Sequence, residues 1–208
     1  MELARITVAG WAVATVVVGA ATTGCGNDHN TSSPSTSATS TSAASSSTGS
    51  SAVTSPSPGQ PSDYSNLLIK PSDIGADFTT PQPPVLNPNN AAGVAQLFAN
   101  ADNSRRIGDT ILIVADPTVA AAGIENTKAN YAGKVSGTWQ PVDVGSNGAM
   151  ISGNAPGNSQ AITVLLFNEG KALVNLEFDS SPNDPIDPGV ATDIGRKQDA
   201  AIKSGLPG

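Results

Sequence analysis

The chain has 208 residues with a formal net charge of −7; hydrophobic residues make up 38%, charged residues 13% and aromatic residues 4%. That is room for one globular domain beside a large low-complexity segment, and Arg105-Arg106 and Arg196-Lys197 are the only paired cations in the domain. A nucleic-acid binder needs a basic stripe to displace phosphate counterions, so no nucleic-acid partner is expected.

One cysteine, Cys25, and one histidine, His29, occur in the whole chain. An internal disulfide is therefore impossible, and a Cys/His zinc site is ruled out as well. No cofactor and no metal are expected.

Residues 1–24 begin with one basic residue, Arg5, followed by the apolar run Val8 to Ala20 and then small residues. Charge, short apolar core and small residues in that order are the layout of a secretory signal peptide. The run is near the length of a transmembrane helix, but glycine and threonine thin out its end and no basic stop-transfer cluster follows.

The next stretch, Thr22-Thr23-Gly24-Cys25, resembles a bacterial lipobox. In that motif the cysteine thiol takes a diacylglyceryl group and the signal peptide is cut in front of it. Gly24 and Cys25 match, and Thr22 stands where leucine is usual. The resemblance implies lipidation at Cys25, with palmitate-type chains and anchoring on the outer face of the cell membrane. Two or three acyl chains hold a protein on a bilayer far better than one.

From residue 25 to residue 62 the chain is nearly all Ser, Thr, Ala, Pro and Gly after the first few positions. With so few apolar side chains to bury, this tract cannot offset its conformational entropy and is expected to act as a disordered tether. The same composition occurs in O-glycosylated stalks. His29 lies within it and receives no catalytic role.

A globular domain is expected over residues 63–208. Pro71 to Gly75 reads as one helical turn and Val94 to Ala99 as a strand. Thr110 to Ala115 is a continuous β-branched apolar run, the pattern of a strand buried on both faces. Asp116-Pro117 opens a helix, the carboxylate capping free amides and proline sitting at the first helical position. Ala120, Ile124, Thr127 and Tyr131 fall on one face of that helix, which should end near Gly133. Ser146-Asn147-Gly148 reads as a hairpin turn.

Ala161 to Phe167 is apolar on both faces and predicts a central strand; Asn168-Glu169-Gly170 turns the chain. Ala172, Val174, Leu176 and Phe178 alternate with Asn175, Glu177 and Asp179, which predicts a second strand with one wet face. Asp187-Pro188 starts a last helix, with Val190, Ile194 and Ala201 inward and a stop at Gly205. The order predicts an α+β domain with a mainly antiparallel sheet flanked by helices.

The lipobox, the tether and this acidic, cysteine-free domain together resemble mycobacterial surface lipoproteins of the LpqN/LpqT type. That resemblance implies a PsbP-like fold and carries over no functional residue. A more distant similarity is to the extracellular sensor domains of mycobacterial serine/threonine kinases, which carry disulfides.

No catalytic residue is assigned. The domain has no histidine to serve as a base, and nothing places a lysine beside a nucleophile. The acidic stretch Asp179 to Asp187 offers oxygen ligands for calcium without the spacing of a calcium loop, so it reads as a surface loop. The expected function is that of an envelope lipoprotein whose domain binds a lipid, a cell-wall fragment or an envelope protein without catalysis. Two alternatives stand beside it: a cell-wall-directed enzyme using carboxylates, and a structural or antigenic surface protein.

Overall fold

The computed structural model describes residues 63–206; the segments expected to be signal peptide and tether, with Cys25, lie outside the described residues. Strands β1 (Phe78–Thr79), β2 (Val85–Leu86), β3 (Gly93–Asn100), β4 (Arg106–Ile113), β5 (Gln140–Pro141), β6 (Ser146–Asn154), β7 (Ala161–Glu169) and β8 (Ala172–Ser180) form one sheet. Its order is β1-β3-β4-β8-β7-β6-β5, with β2 also paired to β3, and every pairing is antiparallel. Helices α1 (Pro71–Ile74), α2 (Pro117–Asn130) and α3 (Pro188–Gly205) complete an α+β fold, a mainly antiparallel sheet flanked by helices.

The sheet separates two cores. On one face α3 and the 3-10 turn Ser65–Leu67 cover Phe98, Ile107, Ile111, Leu165, Phe167, Val174, Leu176 and Phe178. On the other, Ala120 and Ile124 of α2 pack on Ile151, Ile162, Val164, Leu166 and Leu173. Strand β7 supplies side chains to both cores and is buried from Ala161 to Asn168, as its unbroken apolar run requires.

Helices α2 and α3 each come close to the sheet at a glycine. A Cβ on Gly123 would lie 2.7 Å from Leu173 Cδ2, and one on Gly195 2.3 Å from Leu165 Cδ2. Both helices start as their sequence dictates. The Asp116 carboxylate accepts from the amides of Thr118 at 2.8 Å and Val119 at 3.0 Å. Asp187 accepts from Gly189 at 2.8 Å and Val190 at 3.3 Å. These caps satisfy amides that have no partner inside the helix, with proline next in line at the first helical position.

Four expectations are corrected by the structure. Strand β4 starts at Arg106 and is buried on one face only: Ile107, Asp109 and Ile111 point into the core, while Gly108, Thr110 and Leu112 are half-buried. The apolar run at its end spans a strand end and a loop, which share a composition without sharing an environment. Asn147-Gly148 is not the hairpin turn: β5 pairs with β6 at Pro141 and Ala149, and Asn147 (φ 55°) lies in a bulge on the β6–β7 ladder. The Asn147 amide donates to Asn168 Oδ1 at 2.8 Å, which holds the bulge against β7.

Val190 is 48% exposed; the inward face of α3 is Ala191, Ile194, Gln198 and Ile202 instead. Gln198 stays buried because its amide donates to Leu67 O at 2.6 Å and accepts from the Ile69 amide at 3.1 Å. The face of β8 that carries Asn175, Glu177 and Asp179 is half-buried and hydrogen-bonded, not wet.

Candidate functional site

Helix α2 ends at Asn130, and the chain turns through Gly133 before crossing β6. The crossing is backbone against backbone. The Ser136 amide donates to Asn154 O at 2.9 Å, and the Asn154 amide donates to Ser136 Oγ at 2.9 Å. Gly153 and Gly137 make the approach possible, since a Cβ on Gly153 would lie 1.6 Å from Ser136 O and one on Gly137 2.5 Å from Ser152 O.

This crossing leaves a groove of about 620 Å³ between the end of α2 and the edge of the sheet. Its floor is Val135 and Ile151, 6% and 4% exposed. Trp139 is half-buried beside it, with its ring edge-on to Tyr131 at a centroid distance of 6.2 Å. Ala129, Ala132, Gly133 and Gly137 line the open side. At the rim Lys128 pairs with Glu125 at 2.7 Å, and the Lys134 ammonium stands 5.9 Å from the centre of the Tyr131 ring.

Tyr131 joins the groove to a polar network on the sheet. Its hydroxyl donates to Glu177 Oε2 at 2.5 Å and accepts from the Asn175 amide at 3.0 Å. Burial, and then the Glu177 carboxylate, push the phenol well above its usual range. Two residues on, Asp179 accepts from Arg106 at 3.2 Å and from the Gln160 amide at 3.1 Å. Burial and the neighbouring Glu177 raise the Asp179 carboxyl to about 6, and the Arg106 guanidinium offsets only part of that.

The network has a measurable weight. Tyr131→Phe keeps the ring and removes the hydroxyl, leaving a half-buried carboxylate and an amide without that partner. We expect a loss of about 2 kcal/mol in urea denaturation, in the range for hydrogen bonds to charged groups. A midpoint equal to that of the parent chain would show that water replaces the hydroxyl at no cost.

The acidic stretch is already engaged. Asp184 pairs with Arg105 at 2.7 Å, Asp187 caps α3 and Asp179 holds Arg106. Among the described residues no group of three His, Cys, Asp or Glu side chains stands together as a metal site. Glu177 and Asp179 sit side by side on one strand, which differs from two carboxylates facing each other across a cleft, as a glycosidase uses them.

The Tyr131 network was not read from the sequence, because its members are far apart in the chain and meet only when α2 lies on β8. Asp109 was missed too. It is fully buried between Gln96 and Leu176 on the neighbouring strands, and neither of its oxygens has a hydrogen-bond partner. The alternation Ile107, Asp109, Ile111 was a signal for it, visible once the strand is begun at Arg106.

No family model matches the chain, and no curated protein matches it in sequence. Among solved structures it is similar to the extracellular domain of PknH from Mycobacterium tuberculosis, with a TM-score of 0.47 and 10% identity, over 69% of this chain and 98% of that one. A likeness of that size assigns neither an activity nor a ligand. The class that the fold and the site define is a single α+β domain with a groove at the end of α2.

Proposed function

We propose that the chain is an exported lipoprotein of the LpqN/LpqT type, held on the outer face of the cell membrane through Cys25, whose domain binds a ligand and performs no chemistry. In this reading residues 1–24 are the signal peptide, residues 25–62 the lipidated cysteine and tether, and residues 63–208 the binding domain. The observation that carries binding is the groove beside Trp139. Binding sites of soluble domains are concave, largely apolar, and oriented by a few polar groups. The lack of histidine and cysteine in the domain removes the side chains most used for acid-base and nucleophilic work near neutral pH.

No helix among the described residues is long and apolar enough to cross a membrane; in this reading the anchor is the lipid on Cys25. Cells fed an alkyne fatty acid should label the parent chain and not Cys25→Ser. Equal labelling of both would remove the anchor from this reading. Binding is tested by thermal denaturation with fractions of envelope lipid and cell-wall fragments, since a ligand of the folded state alone raises the transition temperature. A transition unmoved by every fraction would count against a binding domain and favour a structural surface protein.

A further inference from the structure

We propose that Gln96 and Asp109 form a pH switch at the edge of the sheet: Gln96 pins the segment Thr80 to Pro84 while Asp109 is protonated, and lets it go when Asp109 ionises. The two residues stand directly opposite each other on β3 and β4. Paired residues of neighbouring antiparallel strands share a face, with Cβ atoms about 5 Å apart. Leu176, opposite Asp109 on β8, has no side-chain donor to offer. Gln96 is buried, and its amide nitrogen donates to Gln82 O at 2.9 Å and to Leu97 O at 2.8 Å. Neither oxygen of Asp109 has a partner.

The pinned segment bridges a break in the edge strand. β1 ends at Thr79, opposite Ala99, and β2 begins at Val85, opposite Ala95, so the chain from Thr80 to Pro84 bulges over the shorter stretch from Gln96 to Phe98. All of Thr80 to Pro84 is exposed, and Pro81, Pro83 and Pro84 have no N–H to pair with β3. The Gln96 amide on Gln82 O holds the middle of this bulge to the sheet.

No charge balances Asp109. Burial alone acts on its carboxyl and raises it to about 8. β3 and the 3-10 turn Ser65–Leu67 carry no charged side chain, and Glu177 of β8 lies opposite Gly108, on the other face. The charged groups of the covering helices are engaged elsewhere: Asp73 with the Lys70 amide, Lys197 with Asp73 O, Arg196 with Asp143 and Asp193, and Lys203 with Asp199. Ionised Asp109 therefore has one neighbouring donor, the Gln96 amide. A hydrogen bond to a carboxylate is about twice as strong as one between neutral groups, and water takes over Gln82 O, which lies on an exposed segment. A carboxyl with a raised value stays protonated below that value, so the segment is pinned below about pH 8 and released above it.

The test uses the full-length chain with Cys25→Ser and Gln82→Cys, labelled with bimane at that exposed position, whose hold on Gln96 is through the backbone. Bimane emission and far-UV circular dichroism are followed from about pH 6 to about pH 10, a range that brackets the raised carboxyl. The expected result is a step in emission centred near pH 8 with unchanged circular dichroism. Asp109→Asn should lose the step and keep the low-pH emission throughout. Gln96→Leu, which has no amide to give, should show the high-pH emission at every pH. A parent chain without a step, or one that loses its circular dichroism at the same pH, would overturn the switch whether or not the variants fold. A step that survives Asp109→Asn would assign it to another group, and one that survives Gln96→Leu would remove Gln96 as the pin.

Discussion

Asp109→Asn is expected to make the protein more stable at pH 7 by about 4 kcal/mol, with a gain that shrinks as the solution is acidified. The Asp109 side chain is fully buried in β4, and its oxygens have no hydrogen-bond partner. Burial alone pushes its carboxyl from the ordinary value of 3.8 up to about 8. In the unfolded chain the group is ionised above about pH 4, so between about pH 4 and pH 8 folding requires it to take up a proton. A carboxyl whose folded value is raised in this way leaves the protein most stable below the unfolded value. Stability then falls by about 1.4 kcal/mol for each pH unit up to the folded value and levels off beyond it.

Asparagine has nearly the same shape and no charge, so it keeps the packing and removes the proton uptake. Denaturation of both proteins at a series of pH values separates the causes. The difference between them should be largest near pH 8 and close to zero at pH 4. A difference that did not vary with pH would mean that the carboxyl finds a partner when it ionises, through water or a local opening of β3 and β4.

The second large effect is expected at Gly153. In Gly153→Ala the new methyl group would fall 1.6 Å from Ser136 O, on a segment tied to β6 by two hydrogen bonds. Ser136 O is a backbone atom and the backbone fixes the position of a Cβ, so no side-chain rotation relieves the clash and the crossing must separate. Overpacking of this kind costs about 3 kcal/mol, a fall of roughly 10 °C in melting temperature for a domain of this size. Val135 and Trp139 flank the crossing, so the groove should open with it. Trp139 emission should move to the red. A melting temperature equal to the parent's would show that the chain from Ser136 to Trp139 does not depend on its contact with β6.

Several features were legible because they are local. Asp116-Pro117 and Asp187-Pro188 act within three residues of themselves, so each helix start could be read from composition. The uninterrupted run Ala161 to Phe167 marked the strand that feeds both cores, because a strand covered on two sides has no polar position to show. The α+β class follows from such signals, and so does the reading of Cys25, which rests on the order of charge, apolar run and small residues before it.

What the tertiary structure decided lies at longer range. Thr110 to Ile113 has the same residue types as a doubly buried strand, and only its place between β3 and β8, with one face left half-covered, shows that it buries one side. Val190 has the apolar character of an inward position and points outward because the rotation of α3 is set by Gly195 against Leu165. Tyr131 reads as one more core residue of α2, yet its hydroxyl reaches Glu177, 46 positions along the chain. The groove has no motif at all: it exists because two glycines, Gly137 and Gly153, let two stretches of backbone cross within contact, and the space left beside that crossing is fixed by packing. Sequence by itself determined where α2 and α3 start and which strand is central, since those choices are made by neighbouring residues. Which side chains face water, which carboxyl is stranded in the core and where a ligand has room were decided by the fold, because each depends on groups that the chain brings together only when it closes.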